Sequence, residues 1–216
     1  MPEFTLVQKI IIYAVPILFA ITVHEVAHGW MASKLGDQTA RMMGRLTLNP
    51  LKHIDPVGTV IVPVFMLIFT PFVLGWAKPV PVDWRNLRRP RQDMAWVALA
   101  GPGANLAMLC FWALLAKFIA STGFGNTQAA LPLMAMALAG IFINIILMLL
   151  NMIPIPPLDG SRVVSAILPP RTALQYNRLE PYGIIIILVL LVTGVLGRFF
   201  LPIIGSLDRI VRSFVF

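Results

Sequence analysis

The chain has 216 residues, of which 58% are hydrophobic and 12% charged. A soluble domain carries about 25% charged residues, so this composition excludes an ordinary water-soluble globule and points to an all-α polytopic membrane protein. The net charge of +8 does not indicate nucleic acid, because the basic residues cluster between apolar runs, as loops held on the cytoplasmic side do. A single cysteine, Cys110, excludes an internal disulfide framework.

After a short lead, a first span is read over residues 10–33, bent at Pro16. It contains His24-Glu25-Val26-Ala27-His28. HExxH on a helix sets two imidazoles on one face, one turn apart, which suits two ligands of a tetrahedral zinc ion. Glu25 then lies beside the metal without ligating it, placed to take a proton from water. Residues 44–58 (GRLTLNPLKHIDPVG) are rich in turn formers and weakly alternating, so irregular backbone with a short strand or hairpin is expected there.

Residues 57–76 hold no charge but include Pro63 and Pro71. Basic residues flank the stretch on both sides, so a re-entrant path satisfies the positive-inside rule, with a full crossing as the alternative. A second span over 94–120 carries Gly101-Pro102-Gly103-Ala104-Asn105, and residues 121–130 form an uncharged outer loop. A third span over 131–153 holds Asn144 and Asn151, two turns apart on one face. It breaks at Pro154-Ile155-Pro156-Pro157-Leu158-Asp159-Gly160. A fourth span is read over 183–200. The tail from 201 sets Ile203, Leu207, Ile210, Val211 and Phe214 against Asp208, Arg209 and Arg212, the pattern of an amphipathic helix lying on the membrane. The whole of 1–216 reads as one integral-membrane domain.

Two histidines are an incomplete zinc site, since catalytic sites hold three protein ligands and keep one position open. Among the few carboxylates, Asp159 alone is flanked by apolar sequence, Pro-rich backbone and a glycine. Unwound backbone is tolerated at membrane depth only where it lines a cavity, so Asp159 is the candidate third ligand. With a re-entrant 57–76, the first and third spans both end on the cytoplasmic side, and His24, His28 and Asp159 arrive at one depth.

At these residues the sequence resembles the site-2 protease family of intramembrane zinc metalloproteases. That family pairs HExxH with a distant NxxPxxxLDG, matched here by His24 to His28 and by Asn151 to Gly160. Gly101-Pro102-x-x-Asn105, Lys52 to Pro56 (KHIDP) and Lys78-Pro79-Val80-Pro81 are also similar to the family. The resemblance covers about residues 10–165. It implies one zinc per chain held by His24, His28 and Asp159, with Glu25 as general base. It implies a three-helix catalytic core built from the first three spans, and a membrane-protein substrate that is itself a transmembrane segment. Where many relatives carry a PDZ domain between the second and third spans, this chain has only residues 121–130. Ser161-Arg162 follow LDG where some branches place a second glycine.

Asn151 fits either interhelical polar packing or a donor to substrate backbone or developing oxyanion, and Asn105 is open between the same roles. His53 reads as a loop histidine or as a residue behind the site. The expected setting is the lipid bilayer of a prokaryotic cell membrane, with the site toward the cytoplasm. Two rivals stand beside the protease reading. One is a catalytically silent membrane scaffold, which would have no need of Glu25. The other is a metal-transit protein, which would need a polar path that residues 10–21 do not offer.

Overall fold

The computed structural model describes residues 4–62, 65 and 75–216. α1 (Leu6–Leu35) begins at Thr5, whose hydroxyl accepts the Gln8 N–H while the Gln8 side chain accepts the Thr5 N–H. This reciprocal cap satisfies two donors that the helix start leaves open. A short turn, α2 (Thr39–Met42), follows, and then α3 (Pro90–Ser121) and α4 (Ala130–Asn151). α1, α3 and α4 pack pairwise on one another. The chain therefore runs along the bundle three times in alternating directions, and α1 and α4 finish at the end where α3 starts. This is the three-helix core that the sequence leads one to expect.

Met108, Leu109, Trp112, Ala113 and Ala116 of α3 meet Ala137, Ile141 and Ile145 of α4 in the main core. The alanines let the helices approach closely, which matters where lipid tails are as apolar as leucine and dispersion packing drives association. The outer faces expose Phe111, Leu114, Phe118 and Phe142, a surface for hydrocarbon rather than water. Among the described residues, four stretches are long and apolar enough to cross a bilayer: Leu6–Leu35, Pro90–Ser121, Ala130–Asn151 and Pro170–Val192.

Beyond α4 the chain is irregular over residues 152–158. It continues as α5 (Asp159–Ile167), α6 (Pro170–Asn177), α7 (Gly183–Val192) and α8 (Val195–Val215). Here the expected boundaries need correction. Hydropathy predicts one helix over 183–200, but α7 stops at Val192 and a turn at Thr193 and Gly194 precedes α8. Nor is the tail a separate surface-lying helix. Val195, Leu196 and Phe199 lie beside Met152 and Pro154, while Ile204, Leu207, Val211 and Val215 pack on the α3–α4 core. At 21 residues, about 32 Å, α8 runs the length of α4. On its other face Asp208 pairs with Arg212 at 2.6 Å, which lessens the cost of charge near lipid.

The expected strand or hairpin is also absent among the described residues. Residues 75–82 carry no regular secondary structure, and Pro79 and Pro81 have no N–H to give to a ladder. Most of the interior of 57–76, expected to be re-entrant, lies outside the described residues. Its described ends meet. The Trp76 N–H donates to the Gly58 carbonyl at 3.0 Å, and the Thr59 hydroxyl to the Trp76 carbonyl at 2.8 Å. A single crossing would part these ends by about 30 Å, which their contact does not allow.

One buried carboxylate fixes the exit of α1 against the entry to α3. Asp37 is fully buried. It accepts the Thr39 N–H and hydroxyl, the Asn86 side-chain amide and the Asp83 N–H. The Arg88 N–H donates to the Leu35 carbonyl alongside at 3.0 Å. Burial alone would raise the Asp37 carboxyl, but the hydrogen bonds from Thr39, Asn86 and Asp83 outweigh it and hold the group below the usual range. A carboxylate with a depressed folded value stabilises above its unfolded value and loses that contribution as pH falls through the folded one. Asp37→Asn is therefore expected to lower the melting temperature at pH 7 by about 5–10 °C. In thermal melts, the gap to wild type should narrow as pH drops below the ordinary aspartate value of 3.8.

Candidate metal centre

α1 presents His24 and His28 on one face, against the start of α3. Residues Val97, Gly101 and Asn105 recur every fourth position and form the α3 surface that receives them. His24 Nδ1 lies 2.7 Å from Asn105 Oδ1, and His28 Nδ1 lies 2.7 Å from the Val97 carbonyl. Both contacts are made by Nδ1, which leaves the two Nε2 atoms facing each other, 3.0 Å apart. Gly101 makes this possible, since a Cβ there would overlap both imidazoles.

The third member comes from the break after α4. Asp159 opens α5, and its Oδ2 stands 3.3 Å from His24 Nε2 and 3.3 Å from His28 Nε2. That oxygen is buried and has no hydrogen-bond partner. His24, His28 and Asp159 are thus brought together as the sequence predicts, and they form a group able to hold a metal ion. Their chemistry fits zinc. A carbonyl only accepts, so His28 Nδ1 carries the proton and Nε2 offers a lone pair. Tetrahedral zinc with bonds of about 2.0–2.1 Å needs donor atoms about 3.3 Å apart, which matches the spacing found here.

Glu25 sits outside this group. Its Oε2 accepts the Val80 N–H at 2.8 Å. In Pro79-Val80-Pro81 that is the one backbone N–H, and it is spent on Glu25. The strap carrying it is pinned from behind. Arg45 donates to the Lys78 carbonyl at 3.0 Å and the Pro79 carbonyl at 3.4 Å, and the Lys78 N–H donates to the His53 carbonyl at 2.9 Å. His53 is buried and its Nε2 donates to the Thr47 carbonyl at 2.9 Å. It braces the loop behind the strap and is not among the metal-competent residues.

The remaining predicted residues separate in role. Asn105 backs His24 directly. Asn151 ends α4 with its amide donating to the Leu147 carbonyl of its own helix at 2.9 Å. The Val97 carbonyl and the Val80 N–H were beyond sequence reasoning as named residues, because any residue type supplies a backbone group. The Pro-x-Pro pattern was the available hint for Val80. The cluster lies about 27 Å along α1 from its start and about 30 Å along α3 from its end.

The sequence profile of Peptidase family M50 matches residues 115–194. Curated relatives carry the name "Putative zinc metalloprotease". YwhC of Bacillus subtilis (strain 168) is 36% identical over 203 residues, 93% of this chain and 89% of the relative. Rip2 of Mycolicibacterium smegmatis is 30% identical over 188 residues, 87% of this chain and 69% of the relative. Rip2 of Mycobacterium tuberculosis (strain H37Rv) is 25% identical over 191 residues, 87% of this chain and 69% of the relative. No solved structure matches the chain significantly. With the two histidines and the aspartate in place, and a relative aligned over nearly its whole length, the chain belongs to peptidase family M50, the site-2 proteases.

Proposed function

We propose that this zinc metalloprotease is an intramembrane endopeptidase, cutting peptide bonds within or near transmembrane segments of membrane proteins. The observation that carries the reading is the position of the cluster. His24, His28 and Asp159 sit inside a bundle of apolar helices, about 30 Å from its far end, so a bond reaching them lies close to the membrane. Lys34, Arg41, Arg45, Lys52, Arg88, Arg89, Arg91 and Arg162 lie in the segments at the cluster's end, while residues 122–129 at the other end carry no charge. Lys9, Lys117, Arg209 and Arg212 lie toward that other end, and the excess of basic residues at the cluster's end supports a cytoplasmic site by the positive-inside rule. The prokaryotic sources of the relatives support assignment to a prokaryotic cell membrane.

His24 Nε2, His28 Nε2 and Asp159 Oδ2 would hold one zinc ion, which when bound acidifies a water and polarises the scissile carbonyl. The chain's own groups do the rest. With Oε2 held by Val80, Glu25 keeps Oε1 to accept the proton from the attacking water and return it to the leaving amine nitrogen. Asn151, at the end of α4 beside the proline break, would donate from Nδ2 to the substrate backbone or the developing oxyanion once it leaves Leu147. Residues 152–158 and the loop from 37 to 55 would give water its access.

Two substitutions test these roles on single-pass membrane substrates in detergent with zinc. Glu25→Gln keeps the shape but cannot take a proton, so cleavage should fall by about 10²–10⁴-fold with zinc content unchanged. Equal cleavage by wild type and variant refutes the mechanism. Val80→Pro deletes the one N–H of the strap and should slow turnover by about 10-fold, while Val80→Ala, which keeps it, should not. Equal rates for Val80→Pro and Val80→Ala would show that the strap does not orient Glu25.

A further inference from the structure

His24 and His28 need the same thing from their surroundings, a proton held on Nδ1 so that Nε2 stays free, yet they obtain it differently. His28 faces a backbone carbonyl, which can only accept. His24 faces the side chain of Asn105. A carboxamide has an acceptor end and a donor end of nearly the same shape, and turning it by half a rotation exchanges them. If Asn105 presented its nitrogen, it would favour the His24 tautomer with the proton on Nε2, which cannot ligate a metal. Something must therefore decide which way Asn105 points.

That decision is made one residue further back. Asn105 Nδ2 lies 3.0 Å from Asn144 Oδ1, and Asn144 Nδ2 lies 2.8 Å from the Gly140 carbonyl. Both asparagines are fully buried. The Gly140 carbonyl only accepts, so the Asn144 atom beside it is the amide nitrogen and the atom facing Asn105 is the oxygen. The Asn105 atom opposite is then its nitrogen, and its oxygen is left for His24 Nδ1–H. The polarity of the chain follows from one carbonyl, whatever orientation is first assumed for either amide. Gly140 also has a packing reason to be glycine, because a Cβ there would overlap the Trp112 ring, which seats α3 and α4 close enough for the two amides to meet.

We propose that Asn144 is a positioning residue for the metal centre, acting through Asn105 to lock His24 in the tautomer that leaves Nε2 free. The proposal rests on the reading of His24 as a metal ligand. Outer-shell partners of this kind typically change metal affinity or activity by 10–100-fold.

The test uses full-length protein in detergent, with zinc affinity read by competition against a chromophoric chelator. Asn144→Leu keeps the volume and removes the amide. Its zinc affinity should fall by about 10–100-fold. Asn105→Asp in the same chain restores the lock by another route, since a carboxylate accepts at both oxygens. The double variant Asn105→Asp/Asn144→Leu should therefore return to within about threefold of wild type. A packing role for Asn144 would leave the double variant as weak as the single one, and that result overturns the proposal. So does an Asn144→Leu variant of wild-type affinity. A second measurement needs no variant. The chain has three histidines, so nitrogen-15 spectra of the metal-free wild type can be assigned, and His24 should carry its proton on Nδ1. A proton on Nε2 refutes the relay. Wild type that binds no zinc refutes the metal reading instead, and the tautomer measurement still judges the relay by itself.

Discussion

Three electron-rich atoms are held together in a low-dielectric bundle: Nε2 of His24, Nε2 of His28 and Oδ2 of Asp159, separated by 3.0–3.3 Å. Their neighbours on the Nδ1 side fix the imidazole protons away from the cluster. Lone pairs at such distances repel unless a cation stands among them, and a buried carboxylate oxygen without a partner is costly. Most of the other close contacts in this half of the molecule are arranged to keep the three atoms there. Gly101 clears the space, Val97 and Asn105 turn the rings, and the proline break after α4 brings Asp159 back toward α1.

The architecture serves that convergence. An odd number of passes separates the start of α1 from the end of α4, so both helices finish at one end of the bundle. The Asp37 clasp then ties the exit of α1 to the segment that starts α3, which sets the height of His24 and His28 against Val97 and Asn105. Glu25 is one residue from a ligand in sequence but faces the Val80 strap. Glu25 and the metal-competent histidines are thereby kept apart on a single helical turn, one served by a backbone N–H and the others by acceptors.

Much of this was legible in the amino-acid order, for physical reasons that can be named. The i, i+4 histidines declare their common face through helical periodicity. Asp159 stands out because a carboxylate next to Pro154, Pro156 and Pro157 in apolar sequence has few other uses. The first, second and third spans follow from hydropathy alone. The break between α7 and α8 did not follow from hydropathy, since Thr193 and Gly194 only briefly interrupt the apolar run, although Gly194 is the left-handed residue at the turn. The docking of α8 was also hidden, because an amphipathic pattern looks the same whether its apolar face meets lipid or neighbouring helices. Asp37 could be read as a helix terminator but not as a clasp, as two of its partners, Asp83 and Asn86, lie more than forty positions away. Asn144 was visible as a polar residue in an apolar span, and only its distance to Asn105 gives it a role.

The claim on which the account stands is that His24, His28 and Asp159 together retain a metal ion. Metal content by mass spectrometry on detergent-purified protein tests it directly, comparing wild type with His24→Ala and Asp159→Asn. The account predicts about one zinc per wild-type chain and loss to background in both variants, since three protein ligands are the usual minimum for a catalytic site. Full zinc occupancy in either variant would contradict it.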